Sequence, residues 1–181
     1  MFHKMIAFAC SLLLPLLAIA QMGGGTTVTE LLQLDRDGYS VQYPSDWEAD
    51  ESGQMNTTFI LLSAQEDASD MFQENVNLLL QNLAGMGIDL DKFVEVSLAQ
   101  IKIMITDSEI IESSREEAHG RSYHKVIHRG KQSGFDLTFV QYYWIVNETA
   151  YVLTLTTESA KFDKFKQAGL QIMDSFVIKA E

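Results

Sequence analysis

Four times between Ser108 and Thr157 the chain alternates β-branched or aromatic residues with polar ones, and each run stops at a turn signal. Alternation of period two sends successive side chains to opposite faces of a strand, and short turns force consecutive strands to pair. The segments Ser108–Glu117, Arg121–Arg129, Phe135–Val146 and Ala150–Thr157 therefore predict a run of antiparallel hairpins. Ala118-His119-Gly120-Arg121 supplies one tight turn, Gly130 to Gly134 a longer one, and Asn147-Glu148 the third. Earlier strands are expected at Tyr39–Tyr43, Thr58–Ser63 and Glu74–Gln81, with the longest connection around "EADESGQMNT".

Two segments keep a helical period instead. "DLDKFVEVSLAQIKIMI" places Leu90, Val94, Leu98, Ile101 and Ile105 on one stripe, with Asp89 or Asp91 available as N-cap. "AKFDKFKQAGLQIMDSF" does the same with Phe162, Phe165, Gly169, Ile172, Met173 and Phe176. A glycine on a packing stripe predicts close approach to the sheet, because its loss of helix propensity must be offset there. A mostly antiparallel sheet of about seven strands with one helix inserted midway and one at the end is an α+β layout. Two amphipathic helices allow both faces to be covered, a layered sandwich in one domain.

The amino terminus reads as an export signal rather than as fold. Residues 1–20 carry Lys4, an apolar run from Met5 to Leu17 and a closing Ala18-Ile19-Ala20, the pattern a signal peptidase cuts after. Such a run falls short of the roughly 20 apolar residues that span a bilayer. An uncleaved anchor is the alternative. Residues 21–29, beginning "QMGGGTT", are expected as a flexible linker, and residues 30–181 as the domain. Cys10 is the chain's one cysteine and lies within the leader, which removes disulfides and thiolate chemistry from the remainder. Without Lys4, 25 acidic residues face 12 basic ones, a net charge near −13 that repels phosphate backbones and anionic lipid. The expected protein is exported, periplasmic or secreted, with no nucleic-acid partner and no membrane span once the leader is gone.

Residues that could carry chemistry are scattered. His124 and His128 share a strand, where four residues put them about 13 Å apart, too far to share a metal. His119 falls in a turn. Asp35-Arg36-Asp37-Gly38 and Asp89-Leu90-Asp91 begin like calcium loops but lack the later glycine and glutamate, so they read as a turn and a helix cap. Neither a nucleophile elbow, nor a phosphate-binding glycine loop, nor a zincin helix is present. No cofactor or structural metal is expected, and a weak surface calcium site is left open. The basic island "RSYHKVIHRGK" offers Arg121, Lys125 and Arg129 to an acidic partner, or pairs across strands with Glu112, Glu116 and Glu117. In "FDLTFVQYYWIV" one face carries Phe135, Leu137, Phe139, Tyr143 and Ile145, the other Thr138, Val140, Tyr142 and Trp144. If this second face coincides with Val152, Thr154 and Thr156 and with Asn77, Leu79 and Gln81, the result is a concave surface with Tyr142 and Trp144 as partner-binding anchors. The other arrangement has the second helix covering that face and Trp144 in the core.

"GYSVQYPSDWE" joins these features to a family. Tyr39, Val41 and Tyr43 form an apolar face, Pro44 ends the strand for want of an N–H, Asp46 can bond the turning backbone, and Trp47 folds back as a plug. This strand-Pro-Trp corner resembles the opening of the PsbP-like superfamily, which includes the extrinsic photosystem II protein and bacterial envelope proteins similar to DcrB. "ENVNLLLQNL", "LDKFVEVSLAQIK", "GRSYHKVIHRG" and "AYVLTLTTESAKFDKFKQAGLQIMDSFVI" continue the likeness over nearly all of the chain after the leader. The resemblance implies an antiparallel sheet between helices, an α/β/α sandwich, and a binding or assembly role without catalysis. The expectation is thus an exported, non-enzymatic envelope protein that engages a protein partner or client through a sheet face. A small-ligand or calcium carrier is the alternative, and an unrecognised hydrolase the third.

Overall fold

In a computed structural model the described residues are 30–179, so the leader and linker expected at 1–29 lie outside them. The predicted hairpin run is present as β6 (Thr106–Ala118), β7 (Arg121–Gln132), β8 (Phe135–Val146) and β9 (Thr149–Glu158). Its three turns each place two consecutive residues at positive φ: His119-Gly120, Ser133-Gly134 and Asn147-Glu148. That double left-handed conformation matches the twist of the flanking strands, so each two-residue loop fixes its register. The middle turn is shorter than the expected Gly130–Gly134 loop, because Gly130 continues the ladder opposite Leu137. A Cβ there would stand 2.4 Å from Ile105 Cγ2 and 2.8 Å from the Thr106 carbonyl oxygen, so this glycine serves close approach to β6 rather than a turn.

β9 does not end the sheet. It pairs with β5 (Asn75–Asn82), which pairs with β4 (Phe59–Leu62), which pairs with β3 (Glu48–Asp50). The seven-stranded antiparallel order is β3-β4-β5-β9-β8-β7-β6. The seventh strand is β3, which lies inside the connection expected to be long. The early strand, β2 (Tyr39–Pro44), instead joins β1 (Leu31–Asp35) and β10 (Val177–Ile178) in a separate three-stranded sheet. β1 and β10 are too short to show a period, and pairing with β2 is what makes them strands.

Each face of the large sheet has its own core. α1 (Leu90–Met104) starts at Asp89, whose carboxylate accepts the Lys92 amide at 2.8 Å, the predicted cap. It buries Phe93, Val94, Ser97 and Ile101 against Val126, Leu137, Phe139 and Tyr143, with Phe93 edge-on to Tyr143 at 5.6 Å. α2 (Phe162–Asp174) lies on the opposite face, burying Gly169, Ile172 and Met173 together with Val76, Leu78, Leu153 and Leu155. A Cβ on Gly169 would meet Leu155 at 2.6 Å, the close approach that its place on the stripe predicts. The corner at Pro44 is structural: Trp47 N donates to the Pro44 carbonyl at 2.9 Å, and Trp47 is buried in the core with Tyr39 and Val41. Helix, sheet, then helix with the small sheet make the layers of the predicted α+β sandwich.

Candidate functional site

Strand parity decides what β8 presents. Tyr142 pairs with Leu153 and Tyr143 with Val152, while Gln141 pairs with Thr154, which in turn faces Asn77. The row Asn77, Leu79, Gln81 and the row Val152, Thr154, Thr156 therefore share the face of Gln141 and Tyr143, not that of Tyr142 and Trp144. One residue of register moves every side chain to the other face. The concave aromatic surface is not formed, and the covered arrangement is the one present. Tyr142 and Trp144 are 5% and 4% exposed beneath α2. Tyr123 stacks on Trp144 at 5.2 Å and lies 4.7 Å from Tyr142, and Phe176 closes the cluster 5.5 Å from Trp144. The Tyr142 hydroxyl donates to Asp174 Oδ1 at 3.0 Å at the end of α2. Burial and then that carboxylate push the phenol up, so it stays a neutral donor. These rings hold a helix to a sheet.

The face beneath α1 carries a buried polar belt in which Asn75, Gln141 and His128 join the Asn77, Thr154 and Thr156 that alternation already set on one face. Asn75, Asn77, Thr154, Thr156, Gln141 and His128 are all buried. Gln141 accepts from the Tyr143 hydroxyl and from His128 Nε2, the latter at 3.2 Å, and donates to Thr154 Oγ1 at 3.2 Å. Asn77 donates to Asn75 at 3.1 Å. Because Gln141 Oε1 accepts, His128 carries its proton on Nε2, and its buried Nδ1 has no hydrogen-bond partner among the described residues. Burial pulls the imidazole down to about 4. The belt is a neutral hydrogen-bonded network, suited to fixing register rather than to moving protons.

The basic island is on the surface and largely neutralised. Lys125 pairs with Glu112 at 3.0 Å, as expected, and its hydrogen bond holds that carboxyl below the usual range. Arg129 pairs with Glu109 at 2.6 Å and Lys131 with Asp107 at 3.0 Å. Among the described residues Glu116 and Glu117 form no ion pair with the island; Lys125, opposite Ser114, takes the diagonal Glu112 rather than the diagonal Glu116. Arg121, at the start of β7, is half-buried, and no ion pair of it occurs among the described residues. The island is one side of a charge ladder along the β6–β7 ribbon.

Two further groupings were not legible in the sequence. Ser113 Oγ and His124 Nε2 stand 2.8 Å apart, the spacing of a nucleophile and its base. Yet His124 Nδ1 is buried with no partner among the described residues, so no carboxylate orients the ring. Burial, then nearby Arg115, keep its affinity for a proton low. At the far end of the sheet the Lys161 ammonium gathers Glu66 at 2.7 Å, Asp70 at 2.8 Å and Glu158 at 2.8 Å. Burial opposes that charge, but hydrogen bonds to Asp70 and Glu158 raise its pKa. Among the described residues no three His, Cys, Asp or Glu side chains are grouped so as to hold a metal ion. No described helix is long and apolar enough to cross a membrane.

No protein-family model matches the chain, and no curated protein matches its sequence. In structure it is similar to the cyanobacterial PsbP protein, CyanoP, of Synechocystis sp. PCC 6803, with a TM-score of 0.60 at 14% identity over 88% of this chain and 98% of that one. The fold is PsbP-like. Other proteins of solved structure are similar to this chain in the same way. LpqN of Mycobacterium tuberculosis, involved in cell envelope biogenesis, has a TM-score of 0.62 at 16% identity, over 85% of this chain and 93% of LpqN. PA94 of Pseudomonas aeruginosa, of unknown function, has 0.59 at 13% identity, over 83% of this chain and 99% of PA94.

Proposed function

We propose that the protein is an exported, non-enzymatic binding or assembly protein of the bacterial cell envelope that engages a protein partner. The observation that carries this reading is the likeness of fold, over most of both chains, to LpqN, a protein involved in cell envelope biogenesis. The export signal expected from the sequence of residues 1–20 agrees with the same compartment. Several polar groups of the sheet are engaged within the protein, His128 Nε2 with Gln141, Tyr142 with Asp174 of α2, and Lys125 with Glu112, while Nδ1 of His124 and of His128 has no partner among the described residues. This is consistent with a scaffold that offers surface rather than a reaction centre. Since Tyr142 and Trp144 lie beneath α2, the partner's contacts are assigned to the exposed β6–β7 ribbon, where Arg121 and Arg129 stand at the rim.

The test is affinity capture on the immobilised protein from an envelope extract of its own host, with free protein as competitor. One partner retained in stoichiometric amount and released by the competitor is the expected result. No protein captured, together with a rise in melting temperature on adding millimolar calcium, would replace this reading with that of a carrier.

A further inference from the structure

β6 is the long uncovered edge of the seven-stranded sheet, 13 residues in which side chains alternate between exposed and half-buried from Asp107 to Ala118. The opposite edge, β3, has 3 residues. Long edges invite pairing with another chain, and proteins blunt them with bulges and charge. β6 is blunted at one end. Its register slips between Thr106 and Glu109 and again between Ile110 and Glu112. From Glu112 to Ala118 it pairs with β7 residue for residue, leaving a regular outer row of backbone groups roughly 23 Å long.

Charge divides the strand at the same place. Toward the bulged end the acids are already matched by β7, Asp107 with Lys131, Glu109 with Arg129 and Glu112 with Lys125. In the regular half the described hydrogen bonds to Glu116 and Glu117 come from hydroxyls, Ser114 at 2.9 Å and Ser122 at 3.4 Å. Arg115, the one cation on β6, is held by Asp91 of α1. Ile111, 54% exposed, stands at the boundary.

We propose that the Glu112–Ala118 edge of β6 is a docking strand for an extended basic segment of a partner protein. The segment adds to the sheet beyond β6, with one Lys or Arg beside Glu116 on one face, the adjacent one beside Glu117 on the other, and an apolar side chain against Ile111. This rests on the protein-binding reading above and names the partner's chemistry. A second copy fits poorly, because it would lay the same acid-rich strand alongside, between molecules of net charge −12 each.

Capped peptides of sequence Lys-Lys-Thr-Val-Thr-Val, whose adjacent lysines face opposite sides of an added strand, its glutamate counterpart and a proline-interrupted form are titrated against the protein, with amide hydrogen exchange as readout. The lysine peptide is expected to slow the outward amides of 112–118 roughly tenfold, and the other two to leave them unchanged. Glu116→Lys/Glu117→Lys should weaken lysine-peptide binding roughly tenfold, and Glu116→Gln/Glu117→Gln by less, with melting temperatures retained. No slowing at 112–118, slowing confined to β1 or β3, or unchanged binding by the charge-reversed variant would overturn the proposal. Concentration-dependent protection without peptide would also overturn it, in favour of a second copy. A captured envelope partner that binds the charge-reversed variant equally well sinks the edge assignment alone, whereas failure to capture any partner sinks the binding reading beneath it.

Discussion

His128 shows how much a single buried ring can set. Its Nε2–H is satisfied by Gln141, its Nδ1 faces no described donor, and its neutral form is the one the fold tolerates. The unfolded residue titrates near 6.5 and the folded one near 4, so the unfolded chain binds the proton first as pH falls. Stability from keeping His128 neutral is complete above 6.5, is lost as pH drops from 6.5 toward 4, and changes no further below. The span corresponds to roughly 3 kcal/mol. Unfolding free energies from urea titrations at neutral pH and near pH 4 should therefore differ by about that much more in the natural protein than in His128→Leu, where Gln141 keeps the Tyr143 hydroxyl as donor. His124 is present in both proteins, so its own lowered pKa cancels in the comparison. Equal pH slopes would remove His128 from the account. The sequence places His128 on a strand, but not which face is dry.

At the scale of elements, Lys161 fastens the 64–73 connection to the start of α2. Its ammonium holds Glu66 and Asp70 from the connection and Glu158 from β9, and Asp70 in turn accepts the Glu66 amide at 3.1 Å. Beneath it Glu74 is fully buried, and burial raises its pKa. Removing the cation would leave the nearly buried Asp70 carboxylate unpaired, a loss that exceeds the value of any exposed pair. Lys161→Met is expected to cost about 2 kcal/mol and to speed hydrogen exchange across 64–73, with Lys161→Arg retaining most of both. Unchanged exchange in Lys161→Met would show that the connection is held instead by Lys164 paired with Glu66 or by Phe72 against Phe135, whose rings lie 5.2 Å apart. The elements themselves were largely legible: Asp89 caps α1 and Gly169 meets Leu155 as their positions predict. The fastening was not, because it joins residues 66 and 70 to residues 158 and 161, and Asp70 and Lys161 are 91 residues apart along the chain.

Across the whole molecule the excess of acid is the dominant long-range force. Ion pairs on the β6–β7 ribbon are exposed and individually worth about 0–1 kcal/mol, whereas the net charge of −12 repels itself throughout the compact state. Added salt screens both, and the unpaired excess should win. The urea midpoint is expected to rise by an amount equivalent to about 1 kcal/mol between low salt and half-molar sodium chloride. A midpoint that falls with salt would mean that the ion-pair ladder outweighs the repulsion. The sequence by itself determined the hairpin run, its first and last turns, both helices and the corner at Pro44 and Trp47, because period, capping and turn chemistry act between residues close along the chain. Tertiary structure alone decided that β9 lies between β5 and β8, that β2 leaves the large sheet for β1 and β10, and that β6 is its open edge. It also decided that Tyr142 and Trp144 are core while Asn77, Thr154 and Gln141 form a buried belt on the opposite face. Those outcomes depend on register between distant strands, and a period-two pattern is unchanged when its partner slides by one residue, although every side chain changes face.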